Sequence, residues 1–219
     1  FPKYWFIFSI LFFLIVIVLV LKLFNWQYRS KEFWGFLTTI LLLIIGATLF
    51  LFFLDSVVFR FIFIVVISIL GGFYLKNVFL FLYNPQSYRP YSLENVSNYL
   101  NLISFFLFSS GFFSIIIFLN IPFFLLLILI FILTLALVIQ NFWVHKIDLR
   151  KSMMFCFALG LVMMELFWVI HYLPTNFFVN GLLLVIVYYI AMNLGQNSLM
   201  GKIESRVIKQ TLLIGGSMI

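Results

Sequence analysis

Glu165 is the residue of this chain best placed to do chemistry away from water. It lies in Met163-Met164-Glu165-Leu166-Phe167-Trp168, well inside an apolar stretch. An acid near the middle of a bilayer costs on the order of 2.5–3.5 kcal/mol on insertion scales, so such residues usually face the helix bundle and often mark proton or ion paths. The expectation is that Glu165 points into the bundle, because exposure to lipid would leave its polar atoms without partners. Trp168 and Tyr172 follow at i+3 and i+7 on roughly the same face, and Tyr188, Tyr189 and Asn193 on the next stretch are its candidate polar neighbours. Glu165, Trp168, Tyr172 and Asn193 thus form one candidate intramembrane site. Two readings of it stay open: a protonatable carrier residue, or a hydrogen bond that only joins helices.

A second candidate site gathers Arg89, Glu94, Asn98 and Asn101. On a helix the last three stand at i, i+4 and i+7, one face, where a lipid headgroup or a solute could be held. Gln140 with Asn141, and Asn193 with Gln196 and Asn197, add polar groups at two other stretch ends. Interfacial polar residues are also expected with no function at all. His145 and His171 invite a metal or haem, but they are expected on opposite membrane faces, with no Cys or carboxylate cluster beside either. No metal and no cofactor is expected. Cys156, the single cysteine, has no partner for an internal disulfide and reads as a small hydrophobe.

The elements that carry these residues are membrane helices. Hydrophobic residues make up 66% of the 219, charged residues 9%, and the mean hydropathy is +1.26. Too few polar residues are present to coat a water-soluble domain of this size. Seven spans can be drawn, at 5–24, 33–54, 57–75, 102–119, 121–144, 152–173 and 177–194, with an eighth beginning near 211. Backbone groups find no water in hydrocarbon, so each span must be helical. The expected fold is therefore all-α, a polytopic transmembrane helical bundle, seven spans plus the start of an eighth, in a single domain over 1–219. Apolar residues run all round these helices, so periodicity does not separate lipid-facing from buried sides. The chain opens on Phe1 and stops in an apolar run too short to cross, so both ends read as truncated.

Charge gives the direction. Of the 13 Lys and Arg, all but Lys3 and Arg60 fall in the first, third, fifth and seventh connections. Cytoplasmic loops carry the excess of such residues, so the N-terminus is expected outside and those connections inside. The net charge of +7 is spread singly along span ends, with no basic block that would mark a nucleic-acid partner. Anionic headgroups on the cytoplasmic side are the expected partners of these cations, with a further membrane protein as a second class of partner. Asp55–Ser56, Asn120–Pro122 and Leu173–Asn176 read as tight outer turns, which force antiparallel hairpins.

The connection 76–101 is the long one. Its opening, 76–83, reads as a segment along the interface; Asn84-Pro85 and Arg89-Pro90 then break the helix. Ser92 can cap a restart, and Glu94 would stand in its first turn, where the helix dipole favours an anion. No breaker follows before Gly111, so 92–101 should continue into the fourth span.

Two stretches, Ser92-Leu93-Glu94-Asn95-Val96-Ser97-Asn98-Tyr99-Leu100-Asn101-Leu102 and Glu165-Leu166-Phe167-Trp168-Val169-Ile170-His171-Tyr172-Leu173-Pro174, resemble segments of uncharacterised multi-pass membrane proteins from small-genome bacteria of the candidate phyla. The resemblance carries no activity. It implies a bacterial inner-membrane helical bundle that continues through a further C-terminal span.

Three functions remain in view. The leading one is a non-catalytic accessory or assembly component of the bacterial inner membrane, because the sequence offers no phosphate loop, no Ser-His-Asp set and no HExxH. A carrier using Glu165 should show broken helices and polar residues meeting at mid-membrane. A membrane enzyme acting on lipid-linked substrate should gather several acids or His at one face, where this chain has Glu94.

Overall fold

The computed structural model describes residues 15, 18, 20–22, 31–84, 86, 88–89, 91–119 and 121–199. Six long helices account for nearly all of them: α1 (Lys31–Leu51), α2 (Val57–Tyr83), α3 (Ser92–Leu119), α4 (Phe123–Val144), α5 (Leu149–His171) and α6 (Phe177–Leu199). Each is long and apolar enough to cross a membrane, and no strand occurs among the described residues. Of the expected first span, only positions 15, 18 and 20–22 are described, and they are helical. The rest of that span, the expected eighth span and both chain ends lie outside the described residues.

The third span does not end where the sequence suggests. Residues 76–83, expected to leave the helix and lie along the interface, are the last two turns of α2. Lys76 and Asn77 read as an exit from hydrocarbon, but a helix satisfies its own backbone wherever it stands, so polar side chains alone do not stop it. What stops it is the Asn84-Pro85 pair, just after Tyr83. The restart at Ser92, continuous through Leu119, is as the sequence predicts. Pro122 falls at the cap position of α4.

The chain divides between Asn101 and Leu102 into two compact units. In the first, α1 and α2 form a hairpin. Phe50 packs against Phe63 and Phe36 against Phe81, with ring centroids 5.2 and 5.9 Å apart. Arg60 turns its Nε–H back onto the Leu54 carbonyl. It thereby satisfies a carbonyl of the turn between α1 and α2.

In the second unit α4 and α5 are the closest pair. Gly160 lets the Phe131 ring lie where a Cβ would come within 2.8 Å of it. Their connection is capped at both ends. Ile147 N–H reaches Phe142 O at 2.9 Å and Lys146 N–H reaches Trp143 O at 3.1 Å, the paired bonds of a Schellman end, with Lys146 at φ 56°. Asp148 then caps α5 by accepting the Arg150 N–H at 3.0 Å. The rings of Phe113 and Phe167 stack at 4.3 Å, and those of Phe105 and Tyr188 at 4.4 Å. On α3 and α6, Ser110 and Gly181 let two backbones meet: a Cβ on Gly181 would lie 3.1 Å from the Ser110 Cα.

Candidate functional site

Two places hold the residues singled out by sequence: the junction between α2 and α3, and the outer face of α5.

At the junction, helix lengths set the stage. With 27 and 28 residues, α2 and α3 run to about 40 and 42 Å at 1.5 Å per residue, against roughly 30 Å of hydrocarbon. The polar residues of both, from Lys76 and Asn77 to Ser92, Glu94, Asn95 and Asn98, gather beside connection 84–91, so the surplus length lies at that end. Tyr88 organises it. Its hydroxyl accepts the Leu93 N–H at 3.0 Å and donates to Glu94 Oε2 at 3.1 Å. The cap expected from Ser92 is thus supplied by a phenol four residues upstream. Ser92 instead donates its hydroxyl to Asn77 Oδ1 at 2.6 Å, and Asn77 Nδ2 donates to Phe73 O at 2.8 Å, tying the start of α3 to α2. Burial pushes the Tyr88 phenol above its ordinary value, and the neighbouring Glu94 carboxylate adds to the rise. Tyr91, at φ 61°, reverses the chain in the left-handed region.

Of the four residues proposed for this site, Glu94 is drawn into the network and partly buried, and Asn101 is fully buried. Asn98 is half-buried, while Arg89 is exposed, its backbone carbonyl accepting the Ser92 N–H at 3.1 Å. Glu94, Asn98 and Asn101 share one face of α3, and burial along it rises from Glu94 to Asn101. Deeper in the same unit, the Tyr74 hydroxyl donates to Phe36 O at 3.1 Å, with the Thr39 and Ser97 hydroxyls beside it. Tyr74 was missed because a tyrosine in an apolar run looks like any other aromatic there.

On α5 the outcome differs from the expectation. Glu165 does not point into the bundle; it is exposed. Met163 and Phe167, two residues to either side, are fully buried, which turns the position between them outward. Trp168 and Tyr172 share its exposed face, and Trp168 Nε1 donates to the Tyr172 hydroxyl at 3.2 Å. Asn193 does not join them. The Phe155 ring meets Gly195 across the α5–α6 hairpin, which puts Asn193 about 12 Å along the axis from the level of Glu165. Tyr188 is buried against Phe105, away from that face. His171 stacks on Phe123 at 4.9 Å, an apolar role.

The two polar groups read at separate helix ends do come together. Gln196 Nε2 of α6 donates to Asn141 Oδ1 of α4, both side chains buried. Among the described residues, no group of three His, Cys, Asp or Glu is placed to hold a metal ion.

These features define an all-helical protein of membrane-type helices joined by a few buried polar contacts. The chain belongs to the family described as "Protein of unknown function (DUF5656)", whose model matches residues 10–219. No curated protein and no solved structure matches it.

Proposed function

We infer that this chain is a multi-pass inner-membrane protein that acts as a non-catalytic accessory or assembly component. The observation that carries the reading is how polar and apolar surfaces are spent. Three polar contacts join helix to helix: Tyr74 to Phe36, Ser92 to Asn77, Gln196 to Asn141. The apolar surface is left outside. Only 11% of the most apolar stretch of α2 is buried, against 56% for α3, and Ile62, Val65 and Ile69 all face outward. A helix packed so sparsely within its own chain offers its length to lipid and to other membrane helices. The carrier reading draws less support, since Glu165 is exposed and no described polar side chain of another helix bonds to it.

The full arrangement in this proposal has seven spans, the start of an eighth and an outside N-terminus. Lys76 and Arg89, exposed at the α2–α3 junction, and the basic residues of the α4–α5 connection lie on the cytoplasmic side. There they meet anionic headgroups, an attraction of about 1 kcal/mol per basic residue near the surface.

Photo-reactive benzoylphenylalanine at Ile62 and Ile69 of the full-length protein, in its native membrane, tests the reading. Cross-links to one recurrent membrane protein are the expected result. Adducts with lipid alone, from these positions and from α5, would overturn it.

A further inference from the structure

One face of α5 repeats every three and four residues: Met154, Ala158, Leu161, Glu165, Trp168 and Tyr172. All six are exposed, Met154 at 87% and Tyr172 at 73%. Alternating steps of four and three residues keep one seam turned toward a second helix over several turns. Ala158, one of only four alanines in the chain, gives that seam a place where backbones can approach closely. Met154 adapts to an irregular surface, and Trp168, held by its bond to Tyr172, is of a type that dominates binding energy at interfaces.

Glu165 lies within this seam, six residues before the end of α5, which is about 9 Å from that end. No hydrogen bond or ion pair from within the described residues reaches it. A carboxylate at that depth demands a hydrogen-bond donor or a cation that lipid tails do not offer. A second copy of the chain would set Glu165 against Glu165. Among the described residues of its own unit, the Lys and Arg nearest in sequence, Lys146, Arg150 and Lys151, stand at the opposite end of α5 from Glu165, and the complement is assigned to a second protein.

The geometry points to a docking seam on α5 for a transmembrane helix of another protein, one that carries a Lys or Arg at the depth of Glu165. This rests on the assembly reading and names its partner's chemistry. The carboxylate pairs with the partner's cation inside hydrocarbon, where a mismatch cannot be hydrated, and so fixes both the register and the identity of the helix. The apolar positions and Ala158 supply the packing along the rest of the seam.

The test uses the full-length protein in native membranes, with benzoylphenylalanine at Leu161 or Trp168 and, as a control, at Ile128 on the exposed face of α4. From the two seam positions the expected product is a cross-link to a transmembrane segment holding a Lys or Arg, absent from the control. Glu165→Gln should lower its yield at least tenfold without changing protein abundance or melting behaviour, because no described residue bonds to the Glu165 side chain. Glu165→Lys should abolish it, and exchanging the partner's cation for Glu should restore it. A cross-linked segment without a basic residue, a cross-link between two copies, or a yield indifferent to Glu165→Gln overturns the seam. If a partner is captured through Ile62 and Ile69 of α2 but not through α5, the assembly reading survives and this seam fails. Lipid adducts at every position defeat both.

Discussion

The Tyr88 hydroxyl donates to Glu94 Oε2 at 3.1 Å while it accepts the N–H of Leu93, so one phenol both caps α3 and holds the acid of its first turn. Tyr88→Phe removes a cap and should cost about 1 kcal/mol. The loss should show as a lower melting midpoint in detergent, and an unchanged midpoint would refute the capping role.

The same contact predicts a pH dependence. Burial, then the Glu94 hydrogen bond and charge, lift the Tyr88 phenol above its ordinary value of 10.0, while the bond from Leu93 N–H opposes the rise. A raised value means that the fold favours the neutral phenol. Its contribution is therefore complete below the unfolded value and lost as pH climbs through the folded one. With ring-labelled tyrosine followed by carbon NMR, the Tyr88 signal, assigned by its absence in Tyr88→Phe, should titrate above the ordinary value. Glu94→Gln should bring its midpoint down. A midpoint that ignores this substitution would deny the coupling.

Much of the fold can be read from the chain because turns in membrane proteins are written in a few strong residues. Asp55–Ser56 and Leu173–Asn176 fall between helices as expected, and Ser92 opens α3. The harder questions concern which way a side chain faces. Around Glu165 every neighbour is apolar, so nothing in the sequence distinguishes the buried side, with Met163 and Phe167, from the exposed side, with Leu161 and Trp168. Asn141 and Gln196 are 55 residues apart, and their meeting depends on how α4 and α6 pack, which no local pattern encodes. The continuation of α2 to Tyr83 was hidden for another reason: Lys76 and Asn77 signal the edge of hydrocarbon, not the end of a helix.

Lys146 offers a stabilising change. It occupies the left-handed position of the Schellman end of α4, at φ 56°, where a side chain costs about 1–2 kcal/mol and glycine nothing. Glycine's greater freedom in the unfolded chain takes back part of that gain. Lys146→Gly should therefore raise the melting midpoint by about 2 °C. Arg150 and Lys151 keep the connection basic in the variant. A lowered midpoint would mean that the Lys146 side chain contributes more than its backbone strain costs.

Gly181→Ala should do the opposite. Its new Cβ would meet Ser110 Oγ at 2.1 Å and the Ser110 backbone at 3.0–3.1 Å, and backbone atoms cannot be moved by a rotamer change. Overpacking of this kind costs typically 1–3 kcal/mol. Ser110→Gly, which removes only the hydroxyl contact, should restore part of the loss and not all of it. Full stability in the single variant would show that α3 and α6 can separate freely at this level.

The Asn141–Gln196 contact is suited to a double-mutant cycle, because each side chain belongs to a different helix. Interhelical hydrogen bonds in membranes average about 0.6 kcal/mol and reach about 1.7. Asn141→Ala and Gln196→Ala, singly and together, should give a coupling energy in that range from unfolding in mixed micelles. A coupling near zero would reduce the pair to packing.

The orientation proposed from charge can be tested with two cysteines in a Cys156→Ala background. Gln86 is exposed in the α2–α3 connection, and Thr175 is exposed in the turn between α5 and α6. These turns lie at opposite ends of their helices if successive helices cross the bilayer, and the basic residues concentrate on the side of Gln86. The positive-inside rule then places Thr175 outside. An impermeant maleimide applied to intact spheroplasts should label Thr175→Cys and spare Gln86→Cys until the membrane is opened. Labelling of position 86 with protection of 175 would invert the protein. Labelling of both before opening would mean that at least one helix between them does not cross, which would overturn the multi-pass reading itself.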